Sequence, residues 1–232
     1  MARVAGPDLA ERWAALPVGA RAALGEQWVG LVAGGLPCGA AVTDADDRVL
    51  AAGRNHAYDP AGAPDTRARY PLQHTRLAHA ELNALALLPT AADHRPLTLW
   101  ATQHPCAMCA AALAFVGIGR VCFVADDPSE EAPADAIVAS RGAVPYAHLG
   151  DPLWWTASNL LFLYNSAVSR GEQAGNLRMN RERYPALVAL TLDLARRDAL
   201  GAAARAGGAL PDALQPVWPA LVRAARATPP AR

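Results

Sequence analysis

Residues 102–113 read TQHPCAMCAAAL and hold Cys106 and Cys109, two of only four cysteines in a chain of 232 residues. Positions i and i+3 share one face of a helix, so two sulfurs at this spacing can meet one metal ion. Pro105 suits the first turn of a helix, where a missing N–H costs little. The positive end of that helix favours thiolate, the form that binds metal. Alanines 110–112 let the helix pack closely against whatever lies beneath it. A Cys-x-x-Cys alone is also compatible with a redox pair or with half of a structural zinc site. Thioredoxin-like chemistry asks for a different order of elements around the pair, and the residues upstream decide the matter.

Working outward, HTRLAHAEL (74–82) places His79 and Glu81 at the start of the preceding helix. In mid-helix, i and i+2 do not share a face, but at the N-terminal tip both can lean toward a site beyond the helix end. Between the two helix starts lies LTLWA (97–101), a short apolar strand. One crossover strand puts both helix starts on the same edge of a sheet. The set then supplies one His and two Cys, which is three ligands with an open fourth position, the arrangement of catalytic zinc. Cys38 and Cys122 sit at or in apolar strands and are expected to be ordinary core thiols.

The remaining elements follow from periodicity and turn residues. Residues 8–33 predict one or two helices. GAAVTDADDRVLAAGRN (39–55) predicts a hairpin turning at Asp44 to Asp47. Residues 56–76, rich in Pro, Gly, Arg and His, predict a long loop of the kind that is usually functional. A helix from His79 should stop at Pro89, and a second should cover 106–117. GRVCFVA (119–125) predicts a strand, the acidic run 126–142 a helix, and VPYAHLG (144–150) a last strand. Helices are expected over 154–169, 185–199 and 211–226, with a frayed tail at 227–232. The fold class is α/β: a mixed five-stranded sheet with helices on both sides, an α/β/α sandwich. The expected division is a domain at 1–150 and a helical extension at 151–232 packed on it. Trp154, Trp155, Phe162 and Tyr164 fall at helical spacing and should be core.

Composition bounds the partners. Apolar residues make up 53% and charged residues 18%, as in a globular chain. All 21 basic residues are arginine and are balanced by 21 acidic ones. A protein that lives on nucleic-acid backbone carries a basic excess, so nucleic acid is not the expected partner. The uncharged run 152–169 includes Pro, Thr, Asn and Ser and is too polar for a comfortable membrane span. With no apolar h-region in MARVAGPDLAERWAAL (1–16), a cytoplasmic protein is expected.

The motifs together resemble the zinc-dependent cytidine deaminase-like superfamily, whose signature is H-x-E followed by P-C-x-x-C. LPCGAAVTDADDRVLAAGRN (36–55), HAELNAL (79–85) and PCAMCAAAL with GIGRVCFVADDP (105–113, 117–128) are similar to the branch of bacterial tRNA adenosine and guanine deaminases. The likeness covers roughly residues 10–150. It implies that His79, Cys106 and Cys109 bind Zn²⁺ and that Glu81 moves protons during hydrolytic loss of ammonia. It also implies that Asn55 and the Ala80 backbone contact a small-molecule substrate, and that the chain forms a homodimer. Where that branch usually has glutamate before Pro-Cys, this chain has His104, a further candidate for substrate binding. His74 and Arg76 are expected to be solvated loop residues. The leading expectation is a deaminase of a small nucleobase, nucleoside or related amino-heterocycle. An RNA adenosine deaminase and a non-catalytic zinc-stabilised scaffold are the alternatives.

Overall fold

The computed structural model describes residues 8–128 and 144–227. Two helices open it, α1 (Leu9–Ala14) and α2 (Val18–Val32). Pro17, at the N-cap of α2, separates them. Strands β1 (Gly39–Thr43) and β2 (Val49–Arg54) form the expected hairpin. Asp44 Oδ1 closes its turn by accepting from Asp46 N and Arg48 N, both at 2.9 Å. After the long loop come α3 (Ala80–Leu85), β3 (Thr98–Gln103), α4 (Ala107–Val116), β4 (Arg120–Ala125) and β5 (Tyr146–His148). Gly117, in the left-handed region at φ 82°, ends α4 by donating to Leu113 O.

The sheet order is β2-β1-β3-β4-β5. Strand β1 is antiparallel to β2 and β3, and β3, β4 and β5 are parallel. Strands β2, β3 and β4 therefore run in one direction, and their carboxyl ends lie on one edge beside the start of β1. The register puts Gly39 beside Arg54 and Gln103 beside Ala125 on that edge. In an open α/β sheet this is where ligands bind.

One layer, α3 and α4, packs on the sheet through Ala84, Leu99, Leu113, Val121 and neighbours. On the opposite face lies α2, with α5 (Pro152–Arg170) beside it. Gly39 permits this approach, since a Cβ there would lie 2.0 Å from Ala23 O. Helices α6 (Gly175–Asn180), α7 (Pro185–Arg196), α8 (Ala199–Arg205), α9 (Leu210–Leu214) and α10 (Trp218–Ala227) complete that layer. One apolar cluster joins Leu24 and Trp28 of α2 to Trp154 and Leu161 of α5 and to Leu221 of α10. Trp13, Trp154 and Trp218 continue it as a chain of rings 5.6 and 5.7 Å apart.

The segment 152–169 is a buried helix as expected, and none of the described helices is long and apolar enough to cross a membrane. Two expectations are corrected. A single helix over 185–199 becomes α7 and α8, broken at Asp198 with φ 50°. The buried Tyr164 hydroxyl accepts from Leu200 N and Gly201 N at 3.1 and 3.2 Å and so holds the start of α8. The helix expected over 211–226 is also two, α9 and α10, and α6 is an addition. The helix expected within 126–142 and most of the tail at 227–232 lie outside the described residues.

Candidate active site

His79 and Cys106 are the N-cap residues of α3 and α4, and neither side chain makes a capping bond. An N-cap normally carries Ser, Thr, Asp or Asn, whose oxygen bonds back to the helix. Here the two cap side chains turn toward each other instead. Cys106 Sγ and Cys109 Sγ lie 3.5 and 3.6 Å from His79 Nδ1. A tetrahedral zinc with bonds of ~2.3 Å to sulfur and ~2.0–2.1 Å to nitrogen separates those atoms by about 3.6 Å. The three donors therefore fit such an ion as they stand. Among the described residues no other three His, Cys, Asp or Glu side chains converge in this way.

Glu81 follows two residues after His79, and its Oε2 lies 3.4 Å from Cys109 Sγ. The carboxylate is only 8% exposed, and burial pushes its pKa up. Cys106 is pulled down to about 4, first by its hydrogen bond with Cys109 and then, against desolvation, by His79. The same bond pushes Cys109 well up, so without metal the two thiols share one proton. The hydrogen bond with Cys106 raises His79.

His79, Glu81 and Cys106 line a pocket of about 220 Å³ at the carboxyl edge of the sheet. Asn55 follows β2, His104 follows β3 and Asp127 follows β4, and each lines it, as does Ala80. Asn55 Oδ1 accepts from Ala57 N at 2.9 Å, and Asn55 N donates to Cys38 O. The His104 ring stacks on Tyr146 at 5.2 Å and meets the edge of Phe123 at 4.7 Å. Its Nδ1 lies 3.1 Å from Pro105 O, a carbonyl that can only accept, so Nδ1 carries a hydrogen. Behind the pocket, Gln27, Gln103 and Ser158 tie α2, β3 and α5 together, with Gln103 Nε2 donating to Ser158 Oγ at 2.8 Å.

His74 and Arg76 are exposed loop residues, as expected. Trp154, Trp155 and Tyr164 are core. Phe162 belongs to that core and also lines the pocket. Cys122 is a buried strand thiol. Cys38 is not a plain core thiol: it lines the pocket, because β1 begins on the edge where β2 and β3 end. Burial pushes its pKa well up, which keeps it a neutral thiol. Tyr58, Gln103, Asp127 and Phe162 were not singled out as pocket residues from the sequence. Asp127 and Gln103 could have been found from strand direction alone, since each sits at the carboxyl end of a strand on the site's edge. Phe162 has no such signal.

A family profile described as MafB19-like deaminase matches residues 21–141, just over half of the chain. The chain belongs to this family. The match contains the whole hairpin, both helix N-caps and every pocket-lining residue named above except Phe162. With the sheet order, it places this MafB19-like deaminase in the cytidine deaminase-like superfamily. No curated protein sequence matches it significantly. Among solved structures, one from work on A-to-I editing by tRNA:A34 deaminases is 26% identical, covering 55% of this chain and 92% of that one, with a TM-score of 0.41. A guanine deaminase from Nitrosomonas europaea is 19% identical over 71% of this chain and 96% of its own, with a TM-score of 0.47. A dCMP deaminase from the cyanophage S-TIM5 is 20% identical over 49% and 80%, with a TM-score of 0.35.

Proposed function

We propose that this deaminase is a zinc-dependent hydrolase that removes the exocyclic amine of a small nucleobase, nucleoside or related amino-heterocycle as ammonia. The observation that carries the reading is the Glu81 carboxylate, buried 3.4 Å from a thiol whose partners stand at zinc-ligand spacing. His79, Cys106 and Cys109 would hold the ion. Zn²⁺, when bound, supplies the acidity that makes water a nucleophile near neutral pH. Glu81 takes the proton that water loses and delivers it to a ring nitrogen. It then carries the second proton to the departing amine, so a C–N bond is exchanged for a C–O bond and ammonia leaves. Its raised pKa suits a group that must both accept and return protons.

Asn55 and the Ala80 backbone hold the ring edge, and Phe162 offers an apolar wall. At about 220 Å³ the pocket is smaller than the ~300–1,000 Å³ that takes drug-sized ligands, which favours one heterocycle. The chain balances 21 basic residues with 21 acidic ones and has no basic excess to hold a phosphate backbone, which argues against the RNA adenosine alternative. A pure scaffold has no use for a carboxylate buried against metal-binding thiols. The test is elemental analysis of fresh protein and an ammonia-release screen over cytosine, guanine, adenine, their nucleosides, and pterin- and triazine-like amines. About one zinc per chain and ammonia from at least one amine support the reading. Metal-free protein, or zinc-loaded protein that releases no ammonia, overturns it.

A further inference from the structure

Asn55 is flanked by two residues that are fixed to the same carboxylate. Arg54 Nη1 and Nη2 reach Asp59 Oδ1 and Oδ2 at 2.5 and 3.0 Å. His56 Nδ1 lies 3.0 Å from Asp59 Oδ2, and Gln73 Nε2 donates to that oxygen at 3.2 Å. Arg54 Nη1 also donates to Asn55 O at 2.9 Å. The Asp59 side chain is fully shielded from solvent and that of Arg54 is 8% exposed. Burial pushes Asp59 up, but Arg54, Gln73 and His56 together hold it below its usual value, so it stays ionised.

A buried ion pair is a poor source of net stability, because desolvation cancels most of the attraction. What this one does is fix a direction. Ala57 N–H can only donate, so the Asn55 atom it meets is Oδ1, and Nδ2 is left as the free end of an amide on the pocket wall. Among the described residues Nδ2 has no protein acceptor. A donor at this point selects a ring that presents an acceptor, either a ring nitrogen or a carbonyl oxygen.

We propose that Asp59 is a positioning residue, which through Arg54 and His56 holds Asn55 so that its Nδ2 points at a hydrogen-bond acceptor on the substrate ring. The inference rests on the small-heterocycle reading above, and its test separates the two. In zinc-loaded Asp59→Asn, exchange of the Ala57 amide hydrogen rises at least tenfold and zinc content stays at the wild-type value. With an amine from the ammonia screen, kcat/KM falls at least tenfold, mainly through KM. In the cycle with Asn55→Ala, the double variant is within threefold of Asn55→Ala alone, because both changes remove the same contact.

Unchanged Ala57 exchange, loss of zinc, or two losses that multiply would each overturn the proposal. If Asp59→Asn fails to fold, Gln73→Met keeps the ion pair and removes one bond to Asp59, together with the loop bonds to Thr66 N and Pro64 O. It should speed Ala57 exchange and raise KM by about threefold, and no change in either is a refutation. A screen that yields no ammonia defeats the small-heterocycle reading, while Ala57 exchange still decides whether Asp59 holds Asn55.

Discussion

Replacing Gly53 by alanine should reach the proposed zinc site without touching it. A Cβ at position 53 would lie 2.9 Å from Ala84 N, 3.0 Å from Asn83 Cβ and 3.1 Å from Ala80 O. Two of these are backbone atoms of α3 and cannot rotate away. Relief requires β2 and α3 to separate by a few tenths of an ångström. Asn83 Nδ2 resists that movement, since it donates to Arg54 O at 2.9 Å and so ties the helix to the strand's end. Overpacking of this kind costs ~1–3 kcal/mol. Alanine recovers ~0.5–1 kcal/mol of the entropy that glycine loses in a strand. The net loss is centred on about 1 kcal/mol, within about 0–2.5 kcal/mol. Because His79 is the N-cap of α3, the same shift moves its nitrogen relative to the two sulfurs. Changes in the support of a metal ligand typically weaken binding by ~10–100-fold. Urea unfolding of metal-depleted protein measures the first effect, and zinc competition against a chromophoric chelator measures the second. A Gly53→Ala protein with wild-type stability and wild-type zinc affinity would show that the packing of α3 on β2 does not set the site.

Cys106→Ala and Cys109→Ala should each lose zinc on dialysis and unfold at lower temperature, because the thiolates tie two helix starts together; stoichiometric zinc in either variant contradicts the ligand assignment. Phe162→Ala should cost ~3–5 kcal/mol by urea unfolding and raise KM, since the ring is both core and pocket wall. Acid should weaken the loop behind Asn55. Burial first, and Arg54 second, hold the His56 pKa below its usual value, while Asp59 pulls it up. The unfolded chain therefore binds a proton there that the folded chain does not, so this stability is complete above about pH 6.5 and falls as pH drops through the lowered value. The urea midpoint followed between about pH 7.5 and pH 5 should show that slope, and His56→Phe should flatten it.

The His79, Cys106 and Cys109 cluster was legible because its parts are local. Pro105 and the i, i+3 cysteines announce a helix start, and His79 with Glu81 announces another. One short strand between them leaves few arrangements. The hairpin was legible from Asp44 and its neighbours, and the Asp44 side chain closes the turn by accepting from the backbone of Asp46 and Arg48. The pocket's far wall was not. Phe162 reaches it only because α5 packs beside α2 across the sheet, a tertiary outcome that periodicity does not encode. Cys38 packs against the core as expected, and its place on the pocket was missed because an apolar flank was read without asking on which edge β1 begins. Asp198 broke an expected helix because the hydroxyl of Tyr164, thirty-odd positions earlier, provides partners for the new helix start. The ion pair behind Asn55 joins Arg54 to a loop whose composition gave its length but not its contacts.

The account turns on Glu81 as a proton carrier that does not bind the metal, and Glu81→Gln tests this most directly. The change keeps the shape of the side chain and removes the acceptor. Zinc content and kcat for ammonia release should be measured together on the variant and the wild type, with an amine from the screen. The expected result is unchanged zinc with kcat lower by at least ~10²–10⁴-fold, the range for general acid–base catalysis. A variant that loses its zinc would make Glu81 a ligand or a structural support, and one that keeps both zinc and turnover would remove Glu81 from the chemistry.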